Sequence, residues 1–185
     1  ANPEVVKFLI ERKPAMMTKV NKLQRTPLHL ACIFKASMAT ISILIKNAPQ
    51  TLLMKDDKGC TPLHVAAENG ASTGVVSALI RANRSTCMAR TNLNMTPLHL
   101  ASSGAAPRSV VKTLMDAEPN SVTSVDEMGR TPLHIACQFG APLSTVQMLI
   151  RAAPEIADEE THRGETALDI AKKHKAPANV IKFLS

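Results

Sequence analysis

Four histidines occur at one repeated spacing and are the residues of this sequence best suited to chemistry. Each follows Thr-Pro-Leu, and successive copies lie 35 residues apart: His29, His64, His99 and His134. A histidine can act as a general acid or base near neutral pH, and its ring nitrogens bind zinc. Cys32 and Cys137 follow two of these histidines by three residues and add thiols, which zinc also accepts. Whether such groups can act together depends on the elements that hold them.

The repeated phrase that contains each histidine predicts the start of a short helix. In the copy TPLHVAA, Thr61 is a favourable N-cap and Pro62 takes the first helical position, where its missing N–H is not needed. Gly70 ends this helix, as Gly140 does in its own copy. The other copies are TPLHLAC at 26–32, TPLHLAS at 96–102, TPLHIAC at 131–137 and the divergent ETALDIA at 165–171.

A second helix and a turn complete each period. The second helix carries its apolar residues on one side, as in Val75, Val76, Leu79 and Ile80. A proline stops this helix in four copies, again at multiples of 35 residues: Pro14, Pro49, Pro119 and Pro154. Asp56 and Gly59 mark a tight turn before the next Thr-Pro, as do their counterparts in the copy 70 residues later.

The repeated pattern of a turn, two antiparallel helices and the T-P-L-H motif resembles the ankyrin repeat. The resemblance covers the whole chain, although the period of 35 exceeds the family's usual one of about 33 residues. It implies an all-α fold, an ankyrin-type α-solenoid of stacked helix-turn-helix repeats with short turn or β-hairpin fingers. Because such repeats stack on one another, each layer covers the apolar face of its neighbour.

We expect one ankyrin repeat domain over residues 1–185. Its predicted parts are a partial repeat at 1–20, full repeats at 21–55, 56–90, 91–125 and 126–160, and an incomplete, degenerate closing repeat at 161–185. The register matches residues 1–20 to the second half of a repeat, so we expect this chain to be a fragment of a larger array.

The stacked arrangement argues against zinc binding or catalysis by the histidines. Successive layers lie roughly 10 Å apart, which is too far for side chains of different layers to share a zinc ion. Catalytic groups must also converge in one pocket, whereas the four histidines are separated from one another in successive layers of the stack. We therefore expect no enzyme activity, no metal and no cofactor. The resemblance implies a structural role for Thr26, His29, Thr61, His64, Thr96, His99, Thr131 and His134.

The charge of the chain leaves a second kind of partner open. Residues 1–55 hold nine Lys or Arg against two Glu, which accounts for the whole formal net charge of +7. A basic N-terminal third could bind nucleic acid or an acidic surface. However, single-strand binding also needs aromatic platforms, and Phe34 is the only aromatic residue close to these charges.

Ankyrin repeats bind other proteins through the turn tips and the exposed side of the first helix, which together line a concave groove. Carried over residue by residue, the resemblance predicts a partner-binding surface. Its members are Leu23, Arg25, Ile33, Phe34, Lys58, Glu68, Asn69, Leu93, Met95, Met128, Arg130, Gln138 and Phe139. Several are large and apolar where exposure is expected, which favours a binding surface over a spacer that regulates an attached domain.

The cysteines and the absence of a long apolar run bear on the compartment. Cys32 and Cys137 stand where other copies have Ala67 and Ser102, which indicates small buried residues and not halves of a disulfide. Reduced thiols are typical of intracellular proteins, so we expect an intracellular and cytoplasmic location. No apolar run approaches the roughly 18 residues of a membrane span, and a small-molecule ligand is not expected.

Overall fold

The computed structural model describes residues 3–185, apart from the side chains of Val6, Leu9 and Ile10. Residues 1 and 2 of the predicted partial repeat lie outside the described range. Within that range the chain forms eleven α-helices and no β-strand. The helices are α1 (Pro3–Arg12), α2 (Pro27–Ile33), α3 (Met38–Asn47), α4 (Pro62–Glu68), α5 (Thr73–Ala82), α6 (Pro97–Ala101), α7 (Arg108–Ala117), α8 (Pro132–Gln138), α9 (Leu143–Ala152), α10 (Ala167–Lys173) and α11 (Ala178–Leu184).

The inner helices α2, α4, α6 and α8 begin at the Thr-Pro dipeptides, as the sequence predicts, and α10 begins after Thr166. Thr26 is extended and caps α2, because its hydroxyl accepts a hydrogen bond from the backbone N–H of His29. The helix α6 is shorter than its counterparts and ends at Ala101. There the hydroxyls of Ser102 and Ser103 donate to the carbonyls of Leu98 and Leu100, so these side chains compete for the last helical carbonyls.

The helices form two rows that pack into one stack. The even-numbered helices α2 to α10 pack one on the next and form the inner row, and the odd-numbered helices α1 to α11 form the outer row. We call α2 with α3 the first layer, and the remaining pairs in chain order the second to fifth layers. Between the rows lies a core of aliphatic side chains. All four phenylalanines of the chain are exposed, so the core contains no phenylalanine.

Short 3-10 helices, which were not predicted from the sequence, follow the outer helices α1, α3, α5, α7 and α9. They span Pro14–Thr18, Pro49–Leu52, Arg84–Met88, Pro119–Ser121 and Pro154–Ala157. The prolines were expected only to stop the preceding helix. They also begin a new element, because a proline at the first position lacks only an N–H that would have no partner.

Each turn tip is closed by a side chain at its first residue. In the second tip the Asp56 carboxylate accepts hydrogen bonds from the N–H groups of Lys58 and Cys60, at 3.0 and 2.9 Å. Gly59 adopts φ +76°, which favours glycine. Neighbouring tips are joined by a backbone hydrogen bond, such as that from Asp57 N–H to the Leu23 carbonyl at 3.1 Å. The sequence predicted fingers that are either turns or β-hairpins, and in the described residues they are turns.

Candidate partner-binding groove

The repeated histidine joins its own turn to the next layer. His29 Nδ1 accepts a hydrogen bond from the Thr26 N–H at 3.2 Å. Because a backbone N–H can only donate, the ring proton lies on Nε2, which donates to the Cys60 carbonyl at 2.9 Å. The second, third and fourth layers repeat this arrangement, with His64, His99 and His134 facing the carbonyls of Met95, Arg130 and Glu159.

Burial of these histidines suits a structural role better than a chemical one. Desolvation lowers the pKa of all four rings, and it lowers those of His64 and His99 to about 4. Such rings stay neutral at physiological pH, and both nitrogens are occupied by hydrogen bonds. Among residues 3–185 no group of three or more metal-ligating side chains is positioned to hold an ion. The geometry therefore supports the predicted structural role.

The four cysteine thiols are also unsuited to chemistry. Cys32, Cys60, Cys87 and Cys137 are all buried and unbridged. Burial raises the pKa of Cys32, Cys60 and Cys137 to about 12 and that of Cys87 to about 11. The thiolate, which is the reactive form, is thus disfavoured at neutral pH.

The turn tips present a row of residues at equivalent positions along one side of the stack. The row runs Leu23, Lys58, Leu93, Met128 and Arg163, all of them exposed. The exposed fractions of Leu23, Leu93 and Met128 are 44%, 56% and 40%. Large apolar side chains are therefore open to solvent at three of the five tips, as expected from the sequence.

The inner helices form the wall that faces this row. Ile33 is half-buried and Glu68 is exposed, whereas Asn69 is partly buried and bonds back to the Val65 carbonyl. Phe34 and Phe139 cap their helices with 77% and 59% of their surface exposed. Phe34 borders a hollow of about 720 Å³ at the α1 end of the stack, together with Met16 and Leu30.

Met95 is not exposed as predicted, since only 9% of its surface reaches solvent. It is the last residue of its turn: its N–H donates to the Thr91 hydroxyl and its carbonyl accepts from His64. These bonds hold its backbone close to the stack. The side chain forms part of a cavity wall together with Leu93 and Leu100.

Two of the predicted arginines are already paired within the protein. Arg25 Nε lies 3.3 Å from a carboxylate oxygen of Asp56 in the next tip. Arg130 donates through Nη2 to Asp126 at 2.7 Å, and through Nη1 to the Gln138 side-chain oxygen, also at 2.7 Å. Both carboxylates are buried, so these pairs stabilise the turns.

Bonds across the groove divide it into two parts. In each layer the last tip residue corresponds to a residue eight positions later, at or just beyond the end of the inner helix. Polar bonds join these residues in the fourth and fifth layers, where Arg130 bonds Gln138 and Lys173 bonds Glu165. We call residues 126–185 the bridged half.

The first three layers, which are fully described, lack such bonds. No hydrogen bond or ion pair joins Arg25 to Ile33, Cys60 to Glu68, or Met95 to Ser103. We call residues 21–125 the open half.

Two cavities lie between the tips and the inner helices of the open half. The first, of about 240 Å³, lies between the first two layers and is lined partly by Ile33 and Val65. The second, of about 490 Å³, lies between the second and third layers and is lined partly by Leu93 and Leu100. Lys58, Cys60 and Glu68 line both cavities. This division was not predicted from the sequence, although the complementary residue types at positions 130 and 138 and at 165 and 173 indicate it.

No described helix is both long and apolar enough to span a bilayer.

Comparison with known families agrees with this architecture. A family model for ankyrin repeats matches three times, over residues 1–87, 36–123 and 98–185, which together cover the whole chain. No curated protein shows a significant match. Ankyrin repeats generally mediate protein–protein interactions, and the family is typically a non-enzymatic module. With its period, helix pairs and tip-to-tip bonds, the chain belongs to the ankyrin repeat family.

Proposed function

We propose that this chain is a non-enzymatic scaffold that binds another protein through its concave groove and turn tips. The observation that carries the proposal is the row of exposed apolar tip residues, Leu23, Leu93 and Met128. Exposed large apolar side chains that line one surface are typical of protein-binding sites. Anchor residues of this kind typically contribute about 2 kcal/mol or more to binding.

The same surface distinguishes a binding scaffold from a spacer, which would need no apolar groove. The buried, hydrogen-bonded histidines and the high pKa values of the thiols also leave the groove without a reactive group among the side chains described above. The four buried, unbridged cysteines support an intracellular and cytoplasmic location as part of the proposal.

Partner capture by variants of the two exposed phenylalanines tests the proposed function. The double change Phe34→Ser, Phe139→Ser should leave the melting temperature near normal, because both rings are largely in solvent. Capture of partner proteins from an extract of the source cells should weaken. Leu53→Ser is the matched control, because it alters another exposed apolar residue that lies at the end of a 3-10 helix and belongs to neither the turn tips nor the inner helices. A large loss of stability with unchanged capture would show that the rings serve the fold.

The basic N-terminal third supports a second candidate, binding of nucleic acid or an acidic surface. The net positive charge of the chain lies within residues 1–55, but one of these residues, Arg25, is already paired with Asp56. A gel-shift assay with an oligonucleotide of about 20 nucleotides at two salt concentrations tests this candidate. Binding at low salt that falls steeply with added salt supports it, and no binding at low salt removes it.

A further inference from the structure

The second cavity of the open half offers an apolar site next to charged groups. Its apolar part consists of Leu93 and Leu100 with the small solvent-exposed edges of Cys60 and Met95, which are otherwise buried. Its volume of about 490 Å³ falls in the range of pockets that bind groups of a ligand. A large apolar side chain of a partner would remove Leu93 and Leu100 from water when it enters this cavity.

Two oppositely charged side chains stand between the two cavities on opposite walls of the groove. Lys58 lies on the row of tips and Glu68 on the inner helix α4. Neither side chain forms an ion pair with any residue that the structure describes, and both are exposed. A partner can therefore pair with both charges without first breaking a bond inside this protein.

The bridged half lacks this advantage. A partner side chain that enters between Arg130 and Gln138 must displace their hydrogen bond and compete with the buried Asp126 for the guanidinium. In the fifth layer it must displace Lys173 from Glu165. Binding there must first offset the loss of these contacts, whereas the open half presents its polar groups ready for a partner.

We propose that the open half binds a linear segment of the partner protein that carries one large apolar side chain flanked by an acidic and a basic residue. The apolar side chain enters the cavity between Leu93 and Leu100, the acidic residue pairs with Lys58, and the basic residue pairs with Glu68. This inference rests on the proposed function and specifies the partner chemistry that the groove accepts. Apolar anchors would supply most of the affinity, and the charges would set the direction of the segment.

A display library of random linear peptides, selected on the whole chain, tests the inference directly. We expect the selected peptides to share an apolar residue with an acidic and a basic neighbour. Their affinities are then measured by fluorescence anisotropy against the unmodified protein, Leu93→Ser and Met128→Ser. The two changes are matched, because both residues are exposed tip residues at equivalent positions of different repeats. Melting curves verify that both variants fold.

The expected result is a loss of at least tenfold in affinity for Leu93→Ser and less than twofold for Met128→Ser. Glu68→Lys should weaken binding at least threefold, and a peptide with its basic residue changed to Glu should recover part of that loss. Peptides that depend on Met128 and not on Leu93 would overturn the inference but leave groove binding intact. Peptides indifferent to every groove change would contradict the proposed function as well. Failure to select any peptide would overturn the inference alone, since a folded partner could still use the groove.

Discussion

The open and bridged halves use the same positions of the repeat for different purposes. Cys60 and Glu68 of the second layer correspond in register to Arg130 and Gln138 of the fourth layer. The backbone turns and helices around both pairs are alike, yet only the fourth-layer pair bonds across the groove. The repeat thus places two walls at a fixed separation, and the side chains at two positions decide whether the space between them is free for a partner.

Acid should produce the largest difference in stability between the open and bridged halves. The two histidines whose pKa values are lowered most, His64 and His99, both lie in the open half. The folded-state pKa values of His64 and His99 are about 4, below the ordinary value of 6.5. The unfolded chain therefore binds more protons as the pH falls. The contribution of the two neutral rings to the stability of the folded state is therefore fully present above about pH 6.5. It is lost progressively as the pH falls toward 4.

At pH 5 each of these two histidines should lower the free energy of unfolding by about 2 kcal/mol relative to pH 7.5. Hydrogen exchange of backbone amides measured across this range would show where the stack opens. We expect protection to fall first around Thr61 and Thr96, whose N–H groups bond the two rings. Earlier loss of protection in residues 126–185 would contradict the assignment.

Removal of a groove bridge should have the next largest effect. In Arg130→Ala the buried Asp126 carboxylate loses its charged partner, although it keeps the N–H bonds of Met128 and of residue 130. The free energy of unfolding should fall by about 1–3 kcal/mol, as is usual when one partner of a buried polar pair is removed. Cys60→Ala changes the equivalent open position, where no groove bond is lost. Thermal or urea unfolding of both variants measures this difference, and equal losses would show that the bonds of Arg130 to Asp126 and Gln138 contribute nothing to stability.

Much of the fold could be predicted because each repeat carries its own helix-capping and turn residues. The Thr-Pro dipeptides predicted where four of the inner helices begin, and the family resemblance predicted the exposure of Phe34 and Phe139. Met95 was misjudged, because a residue at the end of a tip is held near the stack by two backbone bonds that its own type does not reveal. The groove bridges were missed since they depend on which way two side chains turn across a space.

An amide NMR titration of the whole chain with a display-selected peptide would locate the binding surface. We expect the largest chemical-shift changes on the walls of the second cavity, at Lys58, Glu68, Leu93 and Leu100, with small changes at Gln138. Changes centred on the bridged half, or on the outer helices α5 and α7, would contradict the claim that the open half of the groove is the binding surface.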